Sequence, residues 1–347
     1  MRQVETRRLR ICWFIPEPIL SRIRRFVGYS FFDPNIVLPS VWIRGFQIAN
    51  YLKKMNYVVG FNTLNPLPDV AIFLRRYRSE DVELMRMLKK SGTKIVIDVV
   101  ANYFQIRDRS PEGFGEASQD QVNNFLELLG SADQVWTVSP YLKDKASQVN
   151  PNSHFVSDSV DPEHFNIELF PRSSKEGPII LGWSGATSKA NELNSIGPLI
   201  QNWIEQDRIR VSVITKKRPK LDFPFDFHRW DYTSFPRMIS QCDICLAPRQ
   251  VRNEYDLGHS LFKIGVFMAM AVPALAGPVP SYELLLDDGQ AGSICTSVEE
   301  WYYHLMLLID DEATRLSSGR IAREKMKPFL TPAVSSQISV LLENLLN

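Results

Sequence analysis

Apolar runs and amphipathic stretches alternate along the first half of the chain. "LRICWFI" (9–15) is a continuous apolar run halted by Pro16, the pattern of a central strand. "SVWIRGFQIANYLKKMN" (40–56) carries its apolar residues at helical spacing, with Ser40 placed to cap it. "YVVGF" (57–61), "DVAIFL" (69–74) and "TKIVIDVV" (93–100) are short buried-strand patterns. Between the last two, "SEDVELMRMLKKSG" (79–92) has an acidic first turn, a basic last turn and a Gly stop, as a helix should. A helix near 118–129, the strand "QVWTVS" (134–139) and the helix "PYLKDKASQV" (140–149) complete the series.

After a Pro-, Ser- and charge-rich break at 160–178, the alternation starts again. "IILGWS" (179–184) and "IRVSVIT" (209–215) predict strands around a helix at about 189–205. There follow "HRW" (228–230), a helix near 233–241, the strand "DICLAP" (243–248), an apolar helix over 260–271 and "VPALAG". Three helical stretches, 297–310, 312–327 and 332–346, finish the chain. Strands alternating with helices argue for parallel sheets covered on both faces. The chain is therefore expected to be α/β, with two doubly wound, Rossmann-like domains facing across a cleft at the carboxyl ends of their strands.

Composition adds limits. A chain of 347 residues, 44% apolar and 23% charged, is of ordinary globular make-up and long enough for two domains. No run of eighteen uncharged apolar residues predicts a spanning helix. The basic N-terminus leads into an apolar run that stops at Pro16 without a small-residue cleavage site, so it reads as a first strand. Only Cys242 and Cys245 form a CxxC, and with no second pair and no nearby His they are expected to be buried apolar residues. A reducing, cytoplasmic setting follows as the default. The net charge of +1 hides an asymmetry: residues 1–110 hold 19 Lys and Arg against 9 Asp and Glu. That basic half suits peripheral contact with an anionic membrane, or a phosphorylated substrate, or is plain solvated surface. No basic-aromatic module or finger spacing points to nucleic acid.

Chemistry concentrates in "NEYDLGHSLFKIGVFMAMAVPALAG" (253–277), where a buried helix carries its cation, Lys263, at the start. Helix starts favour anions, because their amides carry partial positive charge. If Ser260 caps the helix, the first-turn amides and Lys263 together suit a phosphate, whereas a snorkelling lysine is the plain alternative. No GxGxxG and no GxxxxGK[ST] is present, which disfavours nicotinamide dinucleotides and P-loop nucleotides.

This segment resembles the donor signature of retaining glycosyltransferases of the GT-B fold, family 4 type, through Glu254, Tyr255, Asp256, Gly258, His259, Ser260, Lys263, Phe267 and Ala269. "VSDSVDPEHF" (156–165), "ILGWSGATSKANEL" (180–193) and "FPRMISQCDICLAP" (235–248) are similar, in order, to the segments that precede that signature in the family. The resemblance covers about 155–280 and implies an acceptor-side domain over 1–165, a nucleotide-sugar-binding domain over 166–330, and a C-terminal helix over 331–347 that can cross back to the first domain. It implies a UDP- or GDP-sugar donor, a carbohydrate or lipid-linked acceptor, no metal and no other cofactor. The diphosphate contacts fall on Lys263, Ser260, His259 and the amides of Leu261 and Phe262, with Gly185 in the phosphate-facing loop. A further family lysine aligns with Asn191, and Lys189 is placed to substitute for it. The nucleobase is expected near Arg229 and Trp230. Where the family holds the ribose with a glutamate this chain has Val266, leaving Glu254 or Asp256 to approach from the loop.

For the acceptor side, Asp98 resembles an active-site Asp of some relatives, while a helix-cap or loop role is the alternative. Arg75 and Arg76 end the preceding strand in the same way, and Arg22, Arg24 and Arg25 suit either a lipid-linked diphosphate or solvent. The implied activity is sugar transfer with retention, through Lys263 and Asp98. The other expectation is a catalytically silent homologue that partners an active transferase, for which the missing glutamate at 266 speaks.

Overall fold

The apolar runs become the inner strands of two parallel sheets. The computed structural model describes residues 8–16, 33–104, 118–170 and 177–346. The chain divides into one unit of Met1–Ser159 with Thr331–Asn347, and a second of Val160–Leu330.

In the first unit the strands are β1 (Arg10–Phe14), β2 (Val58–Phe61), β3 (Val70–Leu74), β4 (Lys94–Val99), β5 (Gln134–Thr137) and β6 (Ser153–Phe155). They pair in parallel in the order β2-β1-β3-β4-β5-β6. Helices α1 (Ile48–Lys54), α2 (Ser79–Lys90), α3 (Gln119–Ser131) and α4 (Pro140–Ser147) make the crossovers. β3 is buried along its whole length, as a strand covered on both faces must be. The expected helix over 40–56 is a composite: a turn at Pro39–Val41, a π-helical stretch over Trp42–Gln47, then α1. Ser40 is not its cap, because Pro39 opens the turn and the Ser40 hydroxyl instead accepts from Arg75 at 3.2 Å. The C-terminal helix, Thr331–Leu346, closes this unit's core with Val334, Ile338, Leu341 and Leu342 packed in the cluster of Trp13, Ile48 and Leu52. Polar pairs pin it: Gln47 donates to Thr331 Oγ1 at 2.7 Å, and Tyr57 and Ser339 share a hydrogen bond of 2.6 Å.

The second unit holds β7 (Ile179–Ser184), α5 (Gly197–Glu205), β8 (Ile209–Thr215), β9 (Asp226–Arg229), α6 (Phe235–Ser240), β10 (Ile244–Ala247), α7 (Glu254–Leu257), α8 (Phe262–Ala269), β11 (Ala274–Ala276), α9 (Pro280–Leu286), β12 (Gly292–Ile294), α10 (Val298–Asp310) and α11 (Glu312–Lys325). Its order is β12-β11-β10-β7-β8-β9, all parallel. Phe165 sits in this unit's core with Val160 and Phe235, so the second unit starts before residue 166. The helix expected over 189–205 splits into a 3-10 stretch, Thr187–Ser195, and α5. Pro198 explains the split, since it has no N–H to continue the ladder and opens a new helix in its first turn. Trp230 lies just beyond β9, its amide donating to Thr215 at 3.0 Å. β6, α7, α9 and β12 were not expected from the pattern.

Cys12, Cys242, Cys245 and Cys295 are all free and buried, and burial pushes the Cys245 thiol well above its ordinary value. No helix among the described residues is long and apolar enough to cross a membrane.

Candidate functional site

From β7 the chain winds outward through β8 to β9, and from β10 it winds the other way through β11 to β12. β7 and β10 are neighbours, with Leu181 opposite Ile244 and Gly182 opposite Cys245. Loops that leave two such strands in opposite directions open a crevice at their carboxyl ends, where a doubly wound domain binds its ligand. Gly185 and the 3-10 stretch follow β7; Arg249, α7 and α8 follow β10.

Two glycines bring these pieces close. A Cβ on Gly182 would fall 2.7 Å from the Phe267 ring and 2.5 Å from Cys242 Sγ, so only glycine lets α8 lie against β7. A Cβ on Gly277 would fall 1.9 Å from the Arg249 carbonyl oxygen, so glycine there lets the β11 exit pass the Arg249 backbone. Gly185 is near the helix start: a Cβ on it would be 3.5 Å from Lys263 Cε.

Lys263 lies in the first turn of α8, its side chain 13% exposed, with Nζ 4.6 Å from the Trp183 ring centre. Nζ is 3.6 Å from Glu192 Oε2, an ion pair too long for a hydrogen bond, and both atoms are buried without a hydrogen-bond partner. Burial lowers the Lys263 ammonium from 10.5 to about 8; Glu192 opposes that fall and Arg249 adds to it. Arg249, 4% exposed, reaches Glu192 Oε1 at 3.0 Å and Asp256 Oδ1 at 3.4 Å, while its Nε is buried and unpartnered. His259 Nε2 stands 3.6 Å from Asp256. Burial lowers His259 to about 4, against the pull of Asp256 and with Arg249 and Lys189 repelling the proton, so the ring is neutral at pH 7. Burial also works against the Asp256 carboxylate, but His259, the Arg252 amide and Arg249 outweigh it and hold the acid below its ordinary range.

Lys263, Gly185, Lys189 and His259 thus gather around one helix start. The cap expected at Ser260 falls instead at Leu261, in helical conformation, with Ser260 Oγ 3.4 Å from the Phe262 amide. Leu261 is fully buried, and Phe262 is half-buried. Arg229 is exposed at the end of β9, and Trp230 packs edge-on to Phe235 with Lys216 Nζ 5.4 Å from its ring centre. Glu254 is exposed, whereas Asp256 is buried on Arg249, the Arg252 amide and His259. Val266 is 1% exposed inside the apolar cluster of Ile264, Phe267 and Met326.

Glu192 and Arg249 escaped the sequence reading. Their signals are an acid inside the loop segment after β7 and an arginine where the apolar run "ICLAP" ends, at the carboxyl end of a central strand. Arg249 also lines a cavity of about 290 Å³ with Ser195, Gly277, Thr296 and Trp301. Among the described residues no three His, Cys, Asp or Glu side chains converge as metal ligands.

In the first unit, Asp98 lies within β4, neither a cap nor a loop residue. It is 1% exposed and takes the Arg44 guanidinium on both oxygens, at 2.6 Å from Nη2 and 2.8 Å from Nε. Arg44 also donates to the Val156 carbonyl at 2.8 Å and to Asp158 at 3.2 Å. Arg76 pairs with buried Asp81. Arg22, Arg24 and Arg25 lie outside the described residues.

Solved structures share this architecture over nearly their whole length. Sucrose-phosphate synthase from Thermosynechococcus elongatus superposes with a TM-score of 0.69 at 12% identity, covering 98% of this chain and 99% of that one. A glycosyltransferase from Rickettsia africae gives 0.63 at 12% identity, over 98% and 99%. The chain has the GT-B fold. HepE of Anabaena, solved with UDP and glucose, shares that fold with a TM-score of 0.62 at 12% identity, over 97% and 100%. No family model and no curated protein matches the sequence. At such low identity the likeness is one of fold.

Proposed function

We propose that the chain is a glycosyltransferase whose second unit binds a nucleoside-diphosphate sugar at the carboxyl ends of β7 and β10. The observation that carries this reading is the pair of buried cations, Lys263 and Arg249, with unpartnered nitrogens at a helix start. Buried polar atoms without partners are costly, and such a cluster marks a place built for a polar ligand. Lys263 and the first amides of α8 face the charge that grows on a diphosphate as its bond to the sugar breaks, and so favour the transition state over the bound donor. In a retaining transfer the departing phosphate oxygen takes the acceptor hydroxyl's proton as the acceptor oxygen bonds the anomeric carbon. UDP bound to HepE on the same fold supports a nucleotide donor. The acceptor class we propose is a carbohydrate or a lipid-linked sugar, met by the basic first unit at the rim of an anionic membrane.

A second reading, a silent homologue that scaffolds an active transferase, draws on Val266 in the core and on Glu192 and Asp256 neutralising the cations. Calorimetric titration with UDP and GDP separates the two. Binding of one of them, lost in Lys263→Ala, supports the enzyme; no binding of either at millimolar concentration overturns it.

A further inference from the structure

At the start of α8 the two buried cations, Lys263 and Arg249, are already paired by two carboxylates, Glu192 and Asp256; His259 is neutral, and Lys189 adds one positive charge nearby. A diphosphate brings at least two more negative charges into a region that screens poorly. The resident carboxylates compete with those charges for the same two cations.

Asp256 is the fixed one. It is held by the Arg252 amide at 3.2 Å, by Arg249 at 3.4 Å and by His259 at 3.6 Å. It lies in α7, whose start is capped by the Asn253 side chain. Glu192 meets the two cations, and its Oε2 has no hydrogen bond at all. It also stands on a 3-10 stretch, whose hydrogen bonds are poorer than those of an α-helix. Its two oxygens bridge Arg249 and Lys263 as two oxygens of a phosphate would.

We infer that Glu192 is a built-in occupant of the anion site, and that a diphosphate binds by exchange, displacing the Glu192 carboxylate from Lys263 and Arg249. This rests on the donor-binding reading above. Glu192 then sets how strongly the site holds any anion, and it keeps two buried cations compensated when no ligand is bound. Exchange also distinguishes Glu192 from a simple ribose contact, which would accept hydroxyl groups and stay where it is.

The test is calorimetry of inorganic pyrophosphate and UDP with wild-type protein, Glu192→Gln and Glu192→Ala. Both ligands should bind at least about tenfold more tightly to each variant, because the resident negative charge is gone. The second variant covers a folding defect peculiar to glutamine, and thermal melts of the ligand-free proteins report on folding directly. Unchanged or weaker pyrophosphate binding in the folded variants overturns the exchange. Weaker UDP with unaltered pyrophosphate also overturns it, and makes Glu192 a hydroxyl acceptor. If UDP binds wild type and variants alike, exchange alone falls; if no protein binds either ligand, the donor-binding reading falls with it.

Discussion

Asp98 and Arg44 hold each other inside the first unit, carboxylate to guanidinium, with both side chains almost wholly buried. Burial disfavours the charged form of Arg44, but Asp98 and Asp158 outweigh it and raise the guanidinium above its ordinary value. Breaking such a pair leaves an uncompensated buried charge, so Asp98→Asn should cost about 3 kcal/mol, with Asp158 softening the loss. Urea unfolding measures this, and UDP affinity, which the proposed function assigns to the second unit, should stay as it was. A variant of full stability that has lost only transfer activity would make Asp98 a catalytic residue.

Lys263 ties binding to pH. Its ammonium loses a proton near pH 8, so UDP affinity should hold to about pH 7.5 and then fall, by up to about tenfold per unit above 8. Lys263→Arg, which keeps its charge, should flatten that profile. In the ligand-free protein the sign is opposite. Folded Lys263 binds fewer protons than unfolded Lys263 between about pH 8 and 10.5, so this group's contribution to stability rises across that window.

His259 acts at the acid end. Between about pH 4 and 6.5 the unfolded chain protonates this ring and the folded one does not, so stability falls as pH falls through that window. Melting temperatures of wild type and His259→Gln, measured from pH 7 to 4.5, should diverge with wild type losing more. Parallel curves would mean that the buried ring takes its proton without penalty.

Val266→Glu places an acid where the motif resemblance expects one, but that position is core. We expect a loss of at least about 3 kcal/mol, from a carboxylate buried among apolar neighbours, and no gain in donor affinity. Tighter UDP binding in a stable Val266→Glu protein would show that this turn of α8 faces the ligand.

The inner strands were legible because a strand covered on both faces must be apolar throughout, as β3 and β10 are. β6 and β12 were not, because three residues such as Ser153–Phe155 or Gly292–Ile294 join a sheet edge by backbone pairing and show no apolar run. The helix start at Lys263 was legible as a charge in the wrong place. Its partners were not: Glu192 and Arg249 stand 57 residues apart in sequence, and only the parallel pairing of β7 with β10 brings the loops after them together. Val266 shows two signals in conflict. The motif resemblance put it at a ribose, while its setting in "IGVFMAM" is that of a core residue, and it is buried.

The C-terminal helix has a consequence for how the molecule is made. Val334, Ile338, Leu341 and Leu342 complete a core begun by Ile11 and Trp13, yet they are synthesised after every strand of the second unit. During translation the first sheet must wait with one apolar flank open while the second unit emerges and folds, although domains generally fold as units in order of synthesis. The later unit is thus the first that can finish. A chain ending at Leu330 would keep every strand of both sheets but leave that apolar flank uncovered, a surface for chaperones to attend.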